Sequence, residues 1–135
     1  MPISLVNPAG VFAPATYSQA AVASGSRLIL LSGQVALDSQ GALVGKGDLA
    51  AQAEQAYTNV AVALAGVGAS FADVARLTVY VVDWSPEKME ALVGGARRAG
   101  AKHGFDVRKA ITLIGVTVLA SPDFLLEVEA IAVAD

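Results

Sequence analysis

Two carboxylates near the end of the chain are the best-placed groups for acid–base chemistry. Glu127 and Glu129 stand two residues apart in an otherwise apolar stretch. On a strand they share one face, about 6.6 Å apart along the backbone. On an exposed face they are ordinary solvated carboxylates. If a subunit boundary covers that face, one of them can act as a general acid or base on a bound water.

The chain offers few other reactive groups. Ser18, Ser32 and Ser121 need a neighbouring base to become nucleophiles, and the one histidine, His103, is predicted at the exposed end of a helix. The glycine-rich stretch 41–47 is one residue too short for a phosphate-binding loop and lacks its Ser or Thr. Because there is no cysteine and only one histidine, thiolate chemistry is excluded, and we predict no metal and no cofactor.

Basic residues are concentrated in one short segment. Five of the nine fall within 13 positions: Arg97, Arg98, Lys102, Arg108 and Lys109. The net charge of −3 and the isoelectric point near 5.0 disfavour a general nucleic-acid binder. We therefore interpret the cluster as a solvated helix end whose cations complement the negative end of the helix dipole, with an RNA-binding patch as the alternative.

Apolar residues dominate the composition. They make up 55% of the 135 positions, and charged residues make up 16%, against about 25% in ordinary soluble domains. This length allows one domain, which we predict over 1–135. No apolar run reaches the roughly 20 residues of a membrane-spanning helix, and no signal-peptide pattern opens the chain. We expect a cytoplasmic protein without membrane association.

Hydrophobic periodicity predicts five strands and two helices in the order β-β-α-β-α-β-β. The strands cover 17–23, 28–35, 74–82, 110–119 and 125–133; the helices run from the N-cap Asp48 to Gly66–Gly68 and from Ser85-Pro86 to about Gly104. Ser24-Gly25-Ser26 predicts a tight hairpin between the first two strands. The order indicates an α+β fold with one mixed sheet and both helices packed on one face.

Two helices leave the other face of such a sheet uncovered. In the last predicted strand, that face still carries Leu125, Ile131 and Val133 beside the two glutamates. An open face with this many apolar side chains is expected to meet a second subunit. We therefore predict a homo-oligomer.

Several short motifs follow one another in the order and spacing of a known family. They are Tyr17-Ser18-Gln19, Leu31-Ser32-Gly33-Gln34-Val35, Gly41 to Gly45, Asp73-Val74, Thr78-Val79-Tyr80, Ile114-Gly115-Val116 and Glu127 to Ala132. Together they cover nearly the whole chain, which resembles the reactive intermediate deaminase family, the RidA or YjgF-like proteins formerly called endoribonuclease L-PSP. The resemblance implies a chorismate-mutase-like α+β fold and a homotrimer with three inter-subunit clefts that hold a small molecule.

The resemblance also implies a reaction. Members of the archetypal subgroup hydrolyse 2-imino acids and their enamine tautomers to 2-oxo acids and ammonia without a cofactor. The matching motifs place the water-positioning glutamate at Glu127, the early tyrosine at Tyr17 and the glycine of the Ser-Gly-Gln motif at Gly33.

One substrate-binding position of the family differs here. The arginine that holds the substrate carboxylate falls at Ile111, so we expect selection against 2-imino acids and toward a less charged ligand. Arg108 is the nearest guanidinium in the sequence. A shift of three residues along a strand reverses the side-chain face, so we expect Arg108 to be a poor substitute.

Two functions from different classes stay open. As an enzyme, the protein is a cofactor-free trimeric hydrolase, a deaminase acting on C=N bonds. In that case Glu127 activates water toward an imine, and backbone amides near Gly33 and Leu113 polarise the electrophile. As a binding module, the same clefts hold a small neutral or apolar metabolite without turnover. RNA cleavage, suggested by the older family name, is disfavoured by the acidic isoelectric point and the single peripheral histidine.

Overall fold

The computed structural model describes residues 3–135, so Met1 and Pro2 of the predicted domain lie outside the described residues. The elements are β1 (Ile3–Val6), β2 (Ala20–Ala23), β3 (Arg27–Leu30), α1 (Leu49–Gly66), β4 (Val74–Val82), α2 (Met89–His103), β5 (Ala110–Val116) and β6 (Leu126–Ala134). Short 3-10 turns at Phe71–Asp73 and Pro86–Lys88 precede β4 and α2. Within this described part, no helix is long and apolar enough to cross a membrane.

Four strands form one mixed sheet in the order β3-β6-β4-β5. β6 is antiparallel to both β3 and β4, whereas β4 and β5 are parallel and are connected through α2. Side chains of both helices pack with β4 and β6 into one core. The α+β fold with two helices on one face of a mixed sheet, predicted from the element order, is confirmed.

The predicted hairpin between the first two strands is wrong. β2 pairs with β1 in a separate two-stranded sheet, and β3 pairs with β6. Between them the chain passes so close to the end of β6 that a Cβ at Gly25 would lie 2.6 Å from the carbonyl oxygen of Ala134. Gly25 therefore permits a close crossing, not a hairpin turn. Beside β6, Ile29 of β3 packs against the core, and this burial favours the observed pairing.

Strand alternation determines which side chains face the helices. Buried residues of β4 and β6 recur at every second position, and a bulge at the start of β4 lets both Val74 and Leu77 face the core. The core combines the two helices with these strands: Ala53, Ala56, Tyr57, Val60, Leu64, Leu92, Ala96, Leu77, Val79, Val81, Leu126, Val128 and Ala130. α1 starts at the predicted N-cap, because the Asp48 carboxylate accepts a hydrogen bond from the backbone N–H of Ala51 at 3.1 Å.

A buried glutamine fixes the approach to β6. Gln52 of α1 is fully buried, and its side-chain nitrogen donates to the carbonyl oxygens of Gly45 (3.1 Å) and Asp123 (3.0 Å). Its side-chain oxygen accepts from the backbone N–H of Leu125 at 2.9 Å. All three contacts satisfy a polar group that burial would otherwise destabilise. They hold the loop before β6, the strand that carries Glu127, against the start of α1.

The sheet face away from the helices is uncovered in the single chain. Leu28 and Leu30 of β3 are 67% and 68% exposed, and Ile114 of β5 is also exposed. The two glutamates of β6 lie on the same face, because Glu127 and Glu129 alternate with the buried Val128.

Candidate functional site

A cavity of about 620 Å³ lies between α2 and the sheet, within the size range of small-molecule sites. Ile111 and Leu113 of β5 line it. Their cross-strand partners are Leu77 and Val79 of β4, both buried toward the helices. Directly paired residues project from the same face of a sheet, so Ile111 and Leu113 also point to the helix side.

Tyr17 reaches this cavity because the segment before β2 is attached to β5. The backbone N–H of Ser18 donates to the carbonyl oxygen of Lys109 at 2.9 Å, and Ser18 forms a parallel bridge with Ala110. The structure therefore brings three sequence-predicted site residues, Tyr17, Ile111 and Leu113, into one cavity.

Two guanidinium groups also line this cavity, and sequence reasoning did not assign them to it: Arg97 and Arg108. The expectation that Arg108 faces away is wrong, because Arg108 lies before β5, where strand alternation does not apply. Its guanidinium is 3.9 Å from the carboxylate of Asp106, which lines the cavity too. Arg97 continues the four-residue spacing of Met89 and Val93 on α2, and that spacing is the sequence signal that could have found it.

Glu127 and Gly33 meet on the opposite face of the sheet. Glu127 is the cross-strand partner of Tyr80, whose side chain alternates with the buried Val79 and Val81 and so lies on the uncovered face. The chain after β3 continues beside β6, where Gln34 and Val128 exchange two backbone hydrogen bonds of 2.8 and 2.9 Å. A Cβ at Gly33 would overlap the Glu127 carboxylate. Glycine at this position is what allows the carboxylate to lie against the backbone.

The second glutamate of the pair is engaged elsewhere. Tyr80 donates its hydroxyl to Oε1 of Glu129 at 3.1 Å, a diagonal contact between β4 and β6. This hydrogen bond is the main cause of a raised pKa for the Tyr80 phenol, because it stabilises the protonated form. Among the described residues, no side chain donates a hydrogen bond to Glu127. Of the two carboxylates, Glu127 is thus the one available to a water or a ligand.

The two groups of predicted site residues do not meet within one chain. Tyr17, Ile111 and Leu113 lie on the helix side, whereas Gly33 and Glu127 lie on the uncovered side. The backbone of the sheet separates them. A single chain therefore does not form the complete predicted site.

The basic residues near the end of α2 do not form one solvated patch. Arg98 and Lys102 bind the carboxylate of Glu54 in α1, with N–O distances of 2.8 and 2.5 Å. Lys109 is buried, and the remaining two arginines line the cavity. The interpretation as a solvated helix end agrees with Lys102, which is exposed in the last turn of α2, and is wrong for the buried Lys109.

The single histidine is placed as predicted, away from the candidate site. His103 is the last residue of α2 and is exposed, and Gly104 follows it in the left-handed conformation with φ of +75°. Across residues 3–135, no group of three or more His, Asp or Glu side chains is arranged to hold a metal ion.

Comparison with known proteins agrees with this fold and these motifs. The family model described as endoribonuclease L-PSP matches residues 10–134. Protein DfrA from Myxococcus xanthus is 37% identical over 67 residues, which are 50% of this chain and 51% of that protein. This alignment spans about half the length of DfrA.

Two solved structures share the architecture along nearly their whole length. YyfB from Yersinia pestis, a protein of unknown function that belongs to the conserved Rid protein family, is 37% identical, with a TM-score of 0.86 over 98% of this chain and 99% of that chain. TdcF from E. coli, solved with bound serine, is 27% identical, with a TM-score of 0.68 over 93% and 92%. Fold, cavity and motifs thus define an α+β protein of the YjgF-like class. The chain belongs to the Rid family, the RidA or YjgF-like proteins, whose family model carries the name endoribonuclease L-PSP.

Proposed function

We propose that this protein hydrolyses a reactive imine or enamine intermediate without a cofactor, in a site that two copies of the chain form together. Glu127 of one copy positions the water that attacks the C=N carbon. The cavity of the next copy, with Tyr17, Ile111 and Leu113, holds the substrate, and backbone amides near Gly33 and Leu113 polarise the electrophile. Addition of water gives a carbinolamine, which releases ammonia and leaves a carbonyl product.

The contact between Gly33 and Glu127 is the observation that carries this proposal. It shows one carboxylate lying against the backbone at Gly33, while Tyr80 donates a hydrogen bond to the other. A general base must lie within hydrogen-bond distance of the water it activates, and Glu127 is the glutamate of the pair whose lone pairs stay free for that contact.

A site shared between copies also accounts for the uncovered sheet face. The sheet separates Glu127 from the cavity within one chain, so a second copy must supply the missing half. Exposed Leu28 and Leu30 give that face the apolar surface typical of a subunit interface. We infer a closed homotrimer with three equivalent sites, the assembly that the family resemblance implies.

Ile111 restricts the class of substrate. An isoleucine cannot pair with a carboxylate, and an unpaired carboxylate in a cleft costs more than the roughly 1.5–3 kcal/mol of one lost charge-assisted hydrogen bond. We therefore infer a substrate without a carboxylate next to the C=N carbon. Arg97 and Arg108 line the same cavity and leave a place for an acidic group farther from the reacting carbon.

The direct test measures carbonyl release from imines generated in the assay. Wild-type protein should accelerate hydrolysis of propan-2-imine more than that of 2-iminopropanoate. Glu127→Gln should lower the catalysed rate by about 100-fold or more, because it removes the general base. Glu129→Gln is the matched control and should keep most of the activity, since Glu129 is bound by Tyr80. Equal rates for wild type and Glu127→Gln would exclude the proposed reaction.

A metabolite-binding protein without turnover is the second candidate, and Ile111 favours it. Thermal-shift measurements with matched neutral and carboxylate ligands, alongside the imine assay, separate the two. If the protein is an enzyme, Ile111→Arg should raise turnover of 2-iminopropanoate. If it only binds, the same substitution should shift ligand preference toward carboxylates and leave every imine at its uncatalysed rate.

A further inference from the structure

A second cavity, of about 450 Å³, lies at the end of α2, beside the 3-10 turn before β4 and the outer side of α1. Among residues 3–135, Asp106 is the only one that lines both cavities. Because the Lys109 amine is the charged group on which the following observations depend, we refer to it as the Lys109 cavity.

Lys109 is buried without a counter-ion. It is 6% exposed, and within residues 3–135 no carboxylate lies at ion-pair distance from its amine and no acceptor takes a hydrogen bond from Nζ. Every fully enclosed side-chain nitrogen or oxygen in this part of the chain has a hydrogen-bond partner. The Lys109 amine has none, so it is not fully enclosed, and Lys109 lines the cavity. Nζ lies 5.6 Å from the centroid of the Phe71 ring. A cation over a ring gains some stabilisation, but this does not replace a missing anion.

The negative charges around the Lys109 amine do not fully compensate for its burial. Burial lowers the pKa of Lys109, and the nearby negative charges of Asp106 and Asp73 offset only part of this effect. His103 is the other titratable lining residue besides Asp106. From α1 and β1 the cavity receives only apolar side chains: Ala61, Ala65, Ile3 and Leu5. A ligand that supplies an anion would favour the charged amine.

We propose that the Lys109 cavity binds a small monocarboxylate with a short apolar chain. The carboxylate pairs with the amine of Lys109, and the chain lies against Ala61, Ala65 and Phe71. The lining is mostly alanine, leucine, isoleucine and phenylalanine, with Ser70, His103 and Asp106 as its other polar side chains, so one unpaired amine fits a single negative charge on an apolar molecule. A phosphate dianion is disfavoured, because the Asp106 carboxylate lining the same cavity repels two negative charges more strongly than one. The site does not depend on the proposed function, because none of the residues assigned to hydrolysis line it.

The test is a ¹H–¹⁵N NMR titration of the whole protein with sodium butanoate at constant ionic strength, with butanamide as the neutral analogue. Butanoate should shift amide signals around Phe71 and from His103 to Lys109, and should bind at least about tenfold more tightly than butanamide. At pH values where butanoate is ionised, affinity should fall as pH rises through the pKa of Lys109, because the anion pairs with the protonated amine.

Two variants and a matched control make the test specific. Lys109→Met keeps the length and apolar stem and should lower butanoate affinity at least about tenfold. Ala61→Leu keeps the amine and fills the cavity, so it should also prevent binding. Lys46→Met removes the same charge in the exposed loop before α1, away from both cavities, and should leave affinity unchanged. Equal affinity for butanoate and butanamide would overturn the proposal, as would binding that survives Lys109→Met.

Discussion

Gly33 and Glu127 are two sequence-predicted site residues that lie side by side on the uncovered sheet face. A Cβ at position 33 would overlap the carboxylate of Glu127, which is the flexible end of its side chain. The side chain can therefore move aside without disturbing the sheet. A substitution at Gly33 should therefore change the position of the Glu127 carboxylate without affecting folding.

Gly33→Ala tests whether the carboxylate position matters for turnover. We expect the free energy of unfolding to stay nearly unchanged and the turnover rate to fall by about 100-fold, since displacement of about 1 Å can have that effect on catalysis. Gly66→Ala is the control, because a Cβ there meets no atom within 4 Å. Unfolding curves and imine hydrolysis rates give both quantities. Wild-type turnover in Gly33→Ala would show that Glu127 does not work through this contact.

At the scale of elements, the contact between α1 and α2 depends on one of two adjacent glycines. A Cβ at Gly95 would overlap the carbonyl oxygen of Ala50 and lie 2.8 Å from the Cβ of Ala53, whereas a Cβ at Gly94 would meet nothing within 4 Å. Alanine at position 95 should therefore disturb the packing of the two helices, whereas alanine at position 94 should not.

Gly95→Ala should lower the free energy of unfolding by about 1–3 kcal/mol, because overpacking forces the helices apart. Gly94→Ala should raise it by about 0.5–1 kcal/mol, since alanine is a better helix former than glycine. Urea denaturation at one protein concentration measures both. A similar loss of stability in the two variants would mean that helix contact does not distinguish these glycines.

The ion pairs of Glu54 join the same helices in a pH-dependent way. Hydrogen bonds from Lys102 and Arg98 lower the pKa of Glu54 in the folded state. A lowered folded-state pKa stabilises the protein above the unfolded-state pKa, and this stabilisation is lost as pH falls through the folded-state value. Because the partners are more than half exposed, the contribution is about 1 kcal/mol or less.

Glu54→Gln should therefore reduce stability at neutral pH and have little effect at an acidic pH below the folded-state pKa of Glu54, where the carboxylate is protonated in both states. Glu90→Gln on the exposed side of α2 serves as the control. Urea denaturation at the two pH values measures the difference. A stability loss that is equal at both would exclude an electrostatic role for Glu54.

The sequence predicts elements better than it predicts how they pair. The β-branched run Val74–Val82 and the cap at Asp48 are local signals, and both are found where predicted. The hairpin failed because pairing depends on which neighbour buries Ile29, and strand periodicity carries no information about that. Arg108 and Lys109 were misplaced for a related reason. They lie in a turn, where neither helical nor strand spacing specifies a direction.

At the scale of the whole molecule, the uncovered sheet face carries exposed apolar side chains as well as charge. Leu28 and Leu30 lie there beside Glu127 and Glu129, whereas Arg98 and Lys102 on the helix side are paired with Glu54. The exposed leucines agree with a face that meets another copy.

Sedimentation should give a species of three times the 13.7 kDa chain mass at micromolar concentration. Leu30→Glu should shift it toward the single chain, because it places a charge in the proposed interface and near Glu129 of the same face. Ser39→Glu in the loop before α1 is a control with the same charge change and should keep the assembly. A stable 13.7 kDa species for wild type would contradict the trimer.

Subunit complementation tests the shared site most directly. Glu127→Gln removes the base, and Val93→Trp fills the cavity, so each variant alone should show only the uncatalysed rate of imine hydrolysis. Co-expressed with different affinity tags and purified through both, hybrid trimers should recover about a third of wild-type turnover, since one of three sites combines an intact Glu127 with an intact neighbouring cavity. Doubly purified hybrids that remain at the uncatalysed rate would contradict a site formed by two copies.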